Sequence, residues 1–219
     1  MSTDDSPAEP RTSSGLDSVT LQEYYEELWE RLPEDLEPPD LALRRGFLLR
    51  APITAGERAL DLGCGAGGFT AVLADAGADV IGVDVAESAL ARARAAHPGL
   101  AFQLVPIEGP LPFEDSSFAL VWTSEVIEHV ADTARWLSEV RRVLTPGGRL
   151  LLTTPAHGRI ALALRGVEYY SQPLGDHLHL YTRRSLRELL ADFDFANVEI
   201  STGGGLPPVR RLLLARAVR

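Results

Sequence analysis

Two carboxylates flank a glycine-rich stretch in the first half of this 219-residue chain, and two more stand beside a histidine in the second half. In Leu60-Asp61-Leu62-Gly63-Cys64-Gly65-Ala66-Gly67-Gly68 the glycines let backbone amides approach a ligand closely, where a strand should hand over to the electropositive start of a helix. Gly63-x-Gly65-x-x-Gly68 also has the dinucleotide-binding spacing, and Asp84 follows where a carboxylate could accept hydrogen bonds from two ribose hydroxyls. The glycines alone fit a tight turn with no ligand; with Asp84 they point to an adenosine-type cofactor. Asp61 separates the candidates. A pyrophosphate would be repelled by a carboxylate just before the first glycine, whereas an ammonium or sulfonium group would be attracted. S-adenosylmethionine carries both cations; a nicotinamide dinucleotide brings the repelled group.

Glu125, Glu128 and His129 stand at i, i+3 and i+4, so a helical turn would place all three on one face at the carboxyl end of a strand. Three readings are open. The cluster could hold a divalent metal, Mg, Mn or Zn, with His157, His177 or His179 completing the set; we take Glu125, Glu128, His129 and His179 as candidate ligands. His129 could instead be a general base that takes a proton from an acceptor while the glutamates orient it, which makes His129 and Glu125 the candidate catalytic pair. Or it is a polar helix start without chemistry. Tyr24, Tyr25 and Trp29, with Tyr169 and Tyr170, could wall an aromatic acceptor pocket, although an aromatic stripe at helical spacing also suits a core. Arg183, Arg184 and Arg187 suit a solvated helix face or an anionic acceptor.

Composition removes other chemistries. All 21 basic side chains are arginine, so a phosphate-loop lysine, a Schiff-base lysine and a lysine base are excluded. A net charge of −10 and a pI near 5.0 argue against a nucleic-acid or anionic-membrane partner. The single cysteine, Cys64, cannot form an internal disulfide, which suits a reducing, cytoplasmic compartment. The N-terminal residues lack the basic and apolar regions of a signal peptide, and no apolar run reaches the ~20 residues of a membrane span.

The elements that must position these groups are legible from periodicity. Residues 1–18, rich in Ser, Pro, Asp and Thr, suggest a disordered tail. Residues 19–56 form a helical cap: a capping box at Thr20-x-x-Glu23 opens one amphipathic helix, and a second runs from about Asp40 to Arg50. From residue 57 to 219, short apolar runs alternate with helices. Strands are expected near 58–62, 79–83, 101–105, 118–122 and 149–153, and helices near 68–76, 87–97 and 133–144, the last closed by Thr145-Pro146-Gly147-Gly148. This predicts an α/β fold, a Rossmann-like, mostly parallel sheet with helices on both faces. Residues 155–182 break the rhythm as an active-site loop insertion. A helix at 183–190 and two strands, 198–202 and 210–218, end the chain, and the glycine-rich connection predicts a C-terminal antiparallel hairpin.

At these residues the chain resembles the class I S-adenosylmethionine-dependent methyltransferases, in the small group that includes the ubiquinone-biosynthesis O-methyltransferases. The resemblance runs from about Ala59 through Pro155 and, more weakly, to Arg187. It rests on the glycine stretch, Val83-Asp84, Leu111-Pro112-Phe113, Glu125-Val126-Ile127-Glu128-His129-Val130 and Arg142-Val143-Leu144-Thr145-Pro146-Gly147-Gly148. It implies a seven-stranded sheet. It also implies that Asp61, Gly63, Cys64, Gly65 and Gly67 hold the methionine end of the cofactor, that Asp84 binds the ribose, that Val85 packs on the adenine and that Ser124 borders the methionine. Where the group usually has an Asp after the third strand, this chain has Ile107 followed by Glu108, so the adenine amino group would be met by a backbone carbonyl or by Glu108. Some members, among them small-RNA 2′-O-methyltransferases, use the Glu-x-x-Glu-His pattern as a metal site. The expected function is methyl transfer from S-adenosylmethionine to a hydroxyl of a small organic acceptor. An RNA 2′-O-methyltransferase and a cofactor-binding scaffold without turnover are the alternatives.

Overall fold

The computed structural model describes residues 18–33, 39–107, 109–157, 177–205 and 211–219. Residues 1–17 of the expected tail, Glu108, and Tyr169, Tyr170 and Asp176 of the expected loop insertion lie outside them, while Ser18, expected in the tail, begins the first helix.

Helices α1 (Ser18–Arg31) and α2 (Leu41–Leu49) precede the alternating part of the chain. There follow β1 (Arg58–Leu62), α3 (Gly68–Asp75), β2 (Asp79–Asp84), α4 (Glu87–Ala96), β3 (Ala101–Leu104) and β4 (Phe118–Ser124). A 3-10 turn at Ile127–His129 leads into α5 (Thr133–Val143) and β5 (Leu144–Pro155). After the interval come α6 (Arg183–Asp192), β6 (Ala196–Gly203) and β7 (Leu212–Val218).

The strands form one seven-stranded sheet in the order β3-β2-β1-β4-β5-β7-β6. The first five pair in parallel, and β7 runs antiparallel between β5 and β6, so the predicted fold class and C-terminal hairpin are observed. β1, β4 and β5 are buried over most of their length and carry apolar stretches at Ala59-Leu60, Phe118–Trp122 and Leu150–Leu152, because both of their faces are covered. On one face Leu48 of α2 and Leu73 of α3 pack with Leu120, Trp122 and Leu151. On the other, Leu137, Val140 and Val143 of α5 and Leu186 and Leu190 of α6 pack with Leu60, Val121 and Leu150. Asp132 caps α5 by accepting from the Arg135 amide, and Thr182 with Ser185 forms a reciprocal capping box on α6.

Two local expectations are corrected. α1 begins at Ser18, so Thr20 lies inside its first turn rather than at its cap. Thr145-Pro146-Gly147-Gly148 does not cap α5. Leu144 is already extended and pairs with Phe118, so these four residues form an irregular start to β5, with Gly147 at φ 77° and a register shift between Phe118 and Leu120. None of the helices among the described residues is long and apolar enough to cross a membrane.

Candidate active site

β1 lies between β2 and β4, where the strand order reverses, and the parallel register aligns Leu62 with Val83 on one side and with Thr123 on the other. The glycine stretch, Asp84 and Glu125 therefore emerge at one carboxyl edge, the position where open α/β sheets bind ligands. The turn after β1 is tight: the Gly63 and Cys64 amides both donate to the Val83 carbonyl at 2.9 Å. Gly63 and Gly65 have φ of 78° and 52°. A Cβ on Gly63 would stand 2.3 Å from Val126 Cγ2, and one on Gly65 2.8 Å from the Trp29 ring, so side chains are excluded at both for space as well as conformation. Cys64 is buried and burial pushes its thiol well up, which makes it a backbone contributor and not a nucleophile.

Asp84 fastens the two halves of this edge. Its Oδ2 accepts from the Gly65 amide at 2.9 Å and its Oδ1 from the Ala86 amide at 3.1 Å. Each oxygen keeps acceptor capacity for a ligand hydroxyl. Val85, half-buried, follows on the same edge. Asp61 is buried and held by the Thr70 hydroxyl at 2.6 Å; burial, opposed by that bond and reinforced by the Asp84 charge, pushes it up to about 7. Burial likewise raises Asp84 against its amide donors. Two buried carboxylates at one edge favour a positively charged ligand over an anionic one. Ile107 is half-buried beyond β3.

The second cluster has a different geometry from the one expected. Glu125 has φ 57°, so the chain turns sharply after β4 and the i, i+3, i+4 spacing is not carried by a continuous helical turn. Glu125 turns to Arg44 of α2, with Oε2 3.2 Å from Nη2, and its Oε1 accepts from the Thr153 hydroxyl at 3.2 Å. Burial still raises Glu125, against the pull of Arg44. Ser124 shares a hydrogen bond with Thr153 at 2.8 Å and caps no helix. Glu128 is fully buried. One oxygen accepts from Thr154 at 2.9 Å; the other has no hydrogen-bond partner among the described residues and lies 3.8 Å from His129 Nε2. Burial and the neighbouring Glu125 charge push Glu128 up to about 8.

Of the histidines beyond β5, His177 is the one that joins this group. Ligand atoms of Glu128, His129 and His177 all lie within 4.8 Å of one another, and the rings of His129 and His177 are 4.8 Å apart. His179 contributes its backbone instead, its amide donating to the Glu128 carbonyl at 3.0 Å beside that of Leu178 at 2.8 Å. His157 Nδ1 accepts the Tyr181 amide, and burial, reinforced by His177, lowers it to about 4.

α1 covers this edge. Tyr25 stacks edge-on to His129, Trp29 lies on Gly65, and the Glu26 carboxylate accepts the amides of Glu87 and Ser88 at 2.6 and 2.9 Å. Burial would raise Glu26, but its hydrogen bonds from Ser88 and Glu87 outweigh that and lower it. Arg44 and Glu26 were both missed by local sequence reasoning, since each acts on a partner far along the chain.

The methyltransferase-domain family matches residues 21–200. A ubiquinone biosynthesis O-methyltransferase of Methylococcus capsulatus is 34% identical over 143 residues, 62% of this chain and 60% of that protein. The chain spans between 20% and 60% of the length of the curated relatives it matches here. Among solved structures, an S-adenosylmethionine-dependent methyltransferase from Mesorhizobium loti superposes with TM-score 0.68 and 24% identity, over 85% of this chain and all of that one. Phosphoethanolamine N-methyltransferase 2 of Haemonchus contortus, solved with S-adenosyl-L-methionine, gives TM-score 0.71 and 21% identity over 93% of this chain and 57% of that one.

Asp61 holds its proton more tightly in the folded chain than in the unfolded one. Its contribution to stability is therefore complete below about pH 4 and is lost as pH rises through about 7. Asp61→Asn should flatten the fall of Tm between roughly pH 4 and 7 and raise Tm by several degrees at the upper end. Parallel wild-type and variant profiles would refute this. Glu26→Ala should free the α4 amides, speeding hydrogen exchange at Glu87 and Ser88 about fivefold, for a cap of about 1 kcal/mol. Exchange in β4 and β5 should not change.

Proposed function

The chain belongs to the class I S-adenosylmethionine-dependent methyltransferases, and we propose on that premise that it methylates the hydroxyl oxygen of a small organic acceptor. The observation that carries the choice of oxygen is the convergence of Glu128, His129 and His177 beside the cofactor loop, a set suited to accepting a hydroxyl proton.

When bound, S-adenosylmethionine supplies a methyl group on a sulfonium; transfer forms a C–O bond as the S–CH3 bond breaks, leaving S-adenosylhomocysteine. The chain's own groups hold and align the reactants, which is where much of such catalysis resides. Asp84 receives the ribose hydroxyls while its amide bonds to Gly65 and Ala86 fix its orientation. Asp61 is drawn to its ionised form by the cationic methionine end. Gly63, Cys64, Gly65 and Gly67 offer backbone at close range, Ser124 borders the methionine and Val85 packs on the adenine. The adenine amino group would be met by a backbone carbonyl at Ile107 or by Glu108, which lies outside the described residues. Arg44 is almost fully buried, and its Nε lacks a hydrogen-bond partner among the described residues; it offers that N–H to the cofactor carboxylate while holding Glu125.

His129 accepts the acceptor's proton, oriented by Glu128 and shielded by Tyr25. Glu128's unpartnered buried oxygen also fits a divalent cation held with His129 and His177, which would lower the acceptor's pKa. Glu125, paired with Arg44, positions the turn rather than completing that set.

Calorimetry with S-adenosylmethionine, then a screen of hydroxyl, amine and RNA acceptors for methyl transfer, tests the reading. Saturable binding, lost at least tenfold in Asp84→Ala, with turnover on a small hydroxyl compound is the expected result. Binding without transfer to any acceptor would assign a scaffold. EDTA should depress turnover and Mg, Mn or Zn restore it, with Glu128→Gln losing both turnover and the metal response; EDTA-insensitive turnover would leave His129 as a metal-free base.

A further inference from the structure

Away from this edge, a groove of about 410 Å³ opens between the C-terminal end of α2 and the β7–β6 side of the sheet. On that face α2 meets the end of β6, with Leu43 against Gly203, while the apolar cluster of the face ends at Leu151 of β5 and leaves the groove beside it. The floor is apolar, with Phe47, Ala51, Leu151 and Leu214. Its rim carries Arg50 and Arg216 together with Arg183 and Arg187 of α6, a helix that packs on the opposite face and borders the groove at the β6 edge, against a single acid, Glu199.

Those arginines form a cluster without acidic partners among the described residues, in an acidic chain. The protein carries ten more negative than positive side chains. Elsewhere Arg44, Arg142, Arg149 and Arg211 are engaged by carboxylates. Among the described residues, none of the four at the groove lies within 4.0 Å of a carboxylate oxygen. Even Glu199, directly opposite Arg216 in the β6–β7 register, forms no ion pair with it. Arg183 and Arg187 stand at i, i+4 on one helix face, where like charges repel, and Arg50 is steered by its contact with the Phe47 ring, 6.0 Å from the centroid. Four guanidiniums and one carboxylate leave a local charge of +3 around an apolar floor, inside the size range of small-molecule sites.

We propose that this groove is a second binding site, for an organic phosphate ester whose apolar body lies on Phe47, Leu151 and Leu214 and whose dianionic head sits among the guanidiniums. Arginine forks match phosphate oxygens bidentately, and a dianion answers the excess charge better than a carboxylate does. A small molecule is favoured over a protein partner because the feature is concave and its charges line a hollow.

The test is calorimetry of the full chain with hexyl phosphate, hexanoate and inorganic phosphate, at two salt concentrations. The expected result is one site for hexyl phosphate, at least tenfold tighter than either inorganic phosphate or hexanoate. The Arg183→Ala, Arg187→Ala double variant should lose at least tenfold. Both side chains are exposed, so the variant should fold, and unchanged S-adenosylmethionine binding checks that it has. No saturable binding of hexyl phosphate, or binding that the double variant leaves intact, overturns the proposal. So does self-association in sedimentation that the double variant abolishes and hexyl phosphate does not compete, because the rim would then serve a protein contact.

Discussion

The position of β1 between two parallel neighbours is the constraint on which the rest depends. Because β2 and β4 both run with β1, all three deliver their carboxyl ends to one edge, and the chain must leave β1 by a turn tight enough to pass under Val126 and Trp29. Only glycine satisfies that space at 63 and 65. Once those glycines are in place, the Gly63 amide turns back to the Val83 carbonyl, and Asp84, arriving on the adjacent strand, takes the Gly65 amide. The glycine loop and its acidic partner are thus a single hydrogen-bonded unit whose halves come from neighbouring strands.

Burial makes this unit a poor resting place for charge. Asp61, Asp84, Glu125 and Glu128 all lie at one edge, and burial raises every one of them. Arg44 answers only Glu125 directly. The remaining carboxylates stay desolvated with hydroxyl and amide donors as their main compensation. Such an arrangement costs stability, and a cationic ligand would relieve that cost where an anionic one would add to it. The proximity of α1 belongs to the same logic, since Trp29 and Tyr25 shield carboxylates and imidazoles from water.

Most of the fold was legible in the sequence because each parallel strand is a short apolar run bounded by turn residues, and those boundaries lie within a residue or two of expectation for β1, β2 and β3. The positions of Asp61, the glycines and Asp84 at one edge were legible for a related reason: they follow from strand ends, which local patterning locates. Glu125 was not. Its spacing to Glu128 and His129 suggests a helical face, but the turn after β4 puts it in a left-handed conformation and sends it to Arg44. Periodicity carries no information about such a pairing between α2 and β4, nor about why His177 rather than His179 meets Glu128. That choice is made by tertiary hydrogen bonds from the 178 and 179 amides to the Glu128 carbonyl, which fix the segment so that His177 lies beside His129.

The absence of lysine has consequences beyond excluding lysine chemistry. A lysine at position 44 could shed its proton under such burial, leaving Glu125 as an uncompensated charge; arginine keeps its charge at any physiological pH. Its planar fork can also engage Glu125 through one nitrogen and retain others for a second partner, which an ammonium does less selectively. Arg149 uses the same property structurally, meeting both oxygens of Glu57 at 2.6 and 2.7 Å and tying β5 to the segment before β1. Arg44 sits one turn from Phe47, which packs against Trp122 of β4. A shift of α2 would therefore alter the charge at Glu125 and the packing of β4 together. The helix that places a guanidinium in the site is also the wall of the arginine-lined groove, so the two regions share one rigid element.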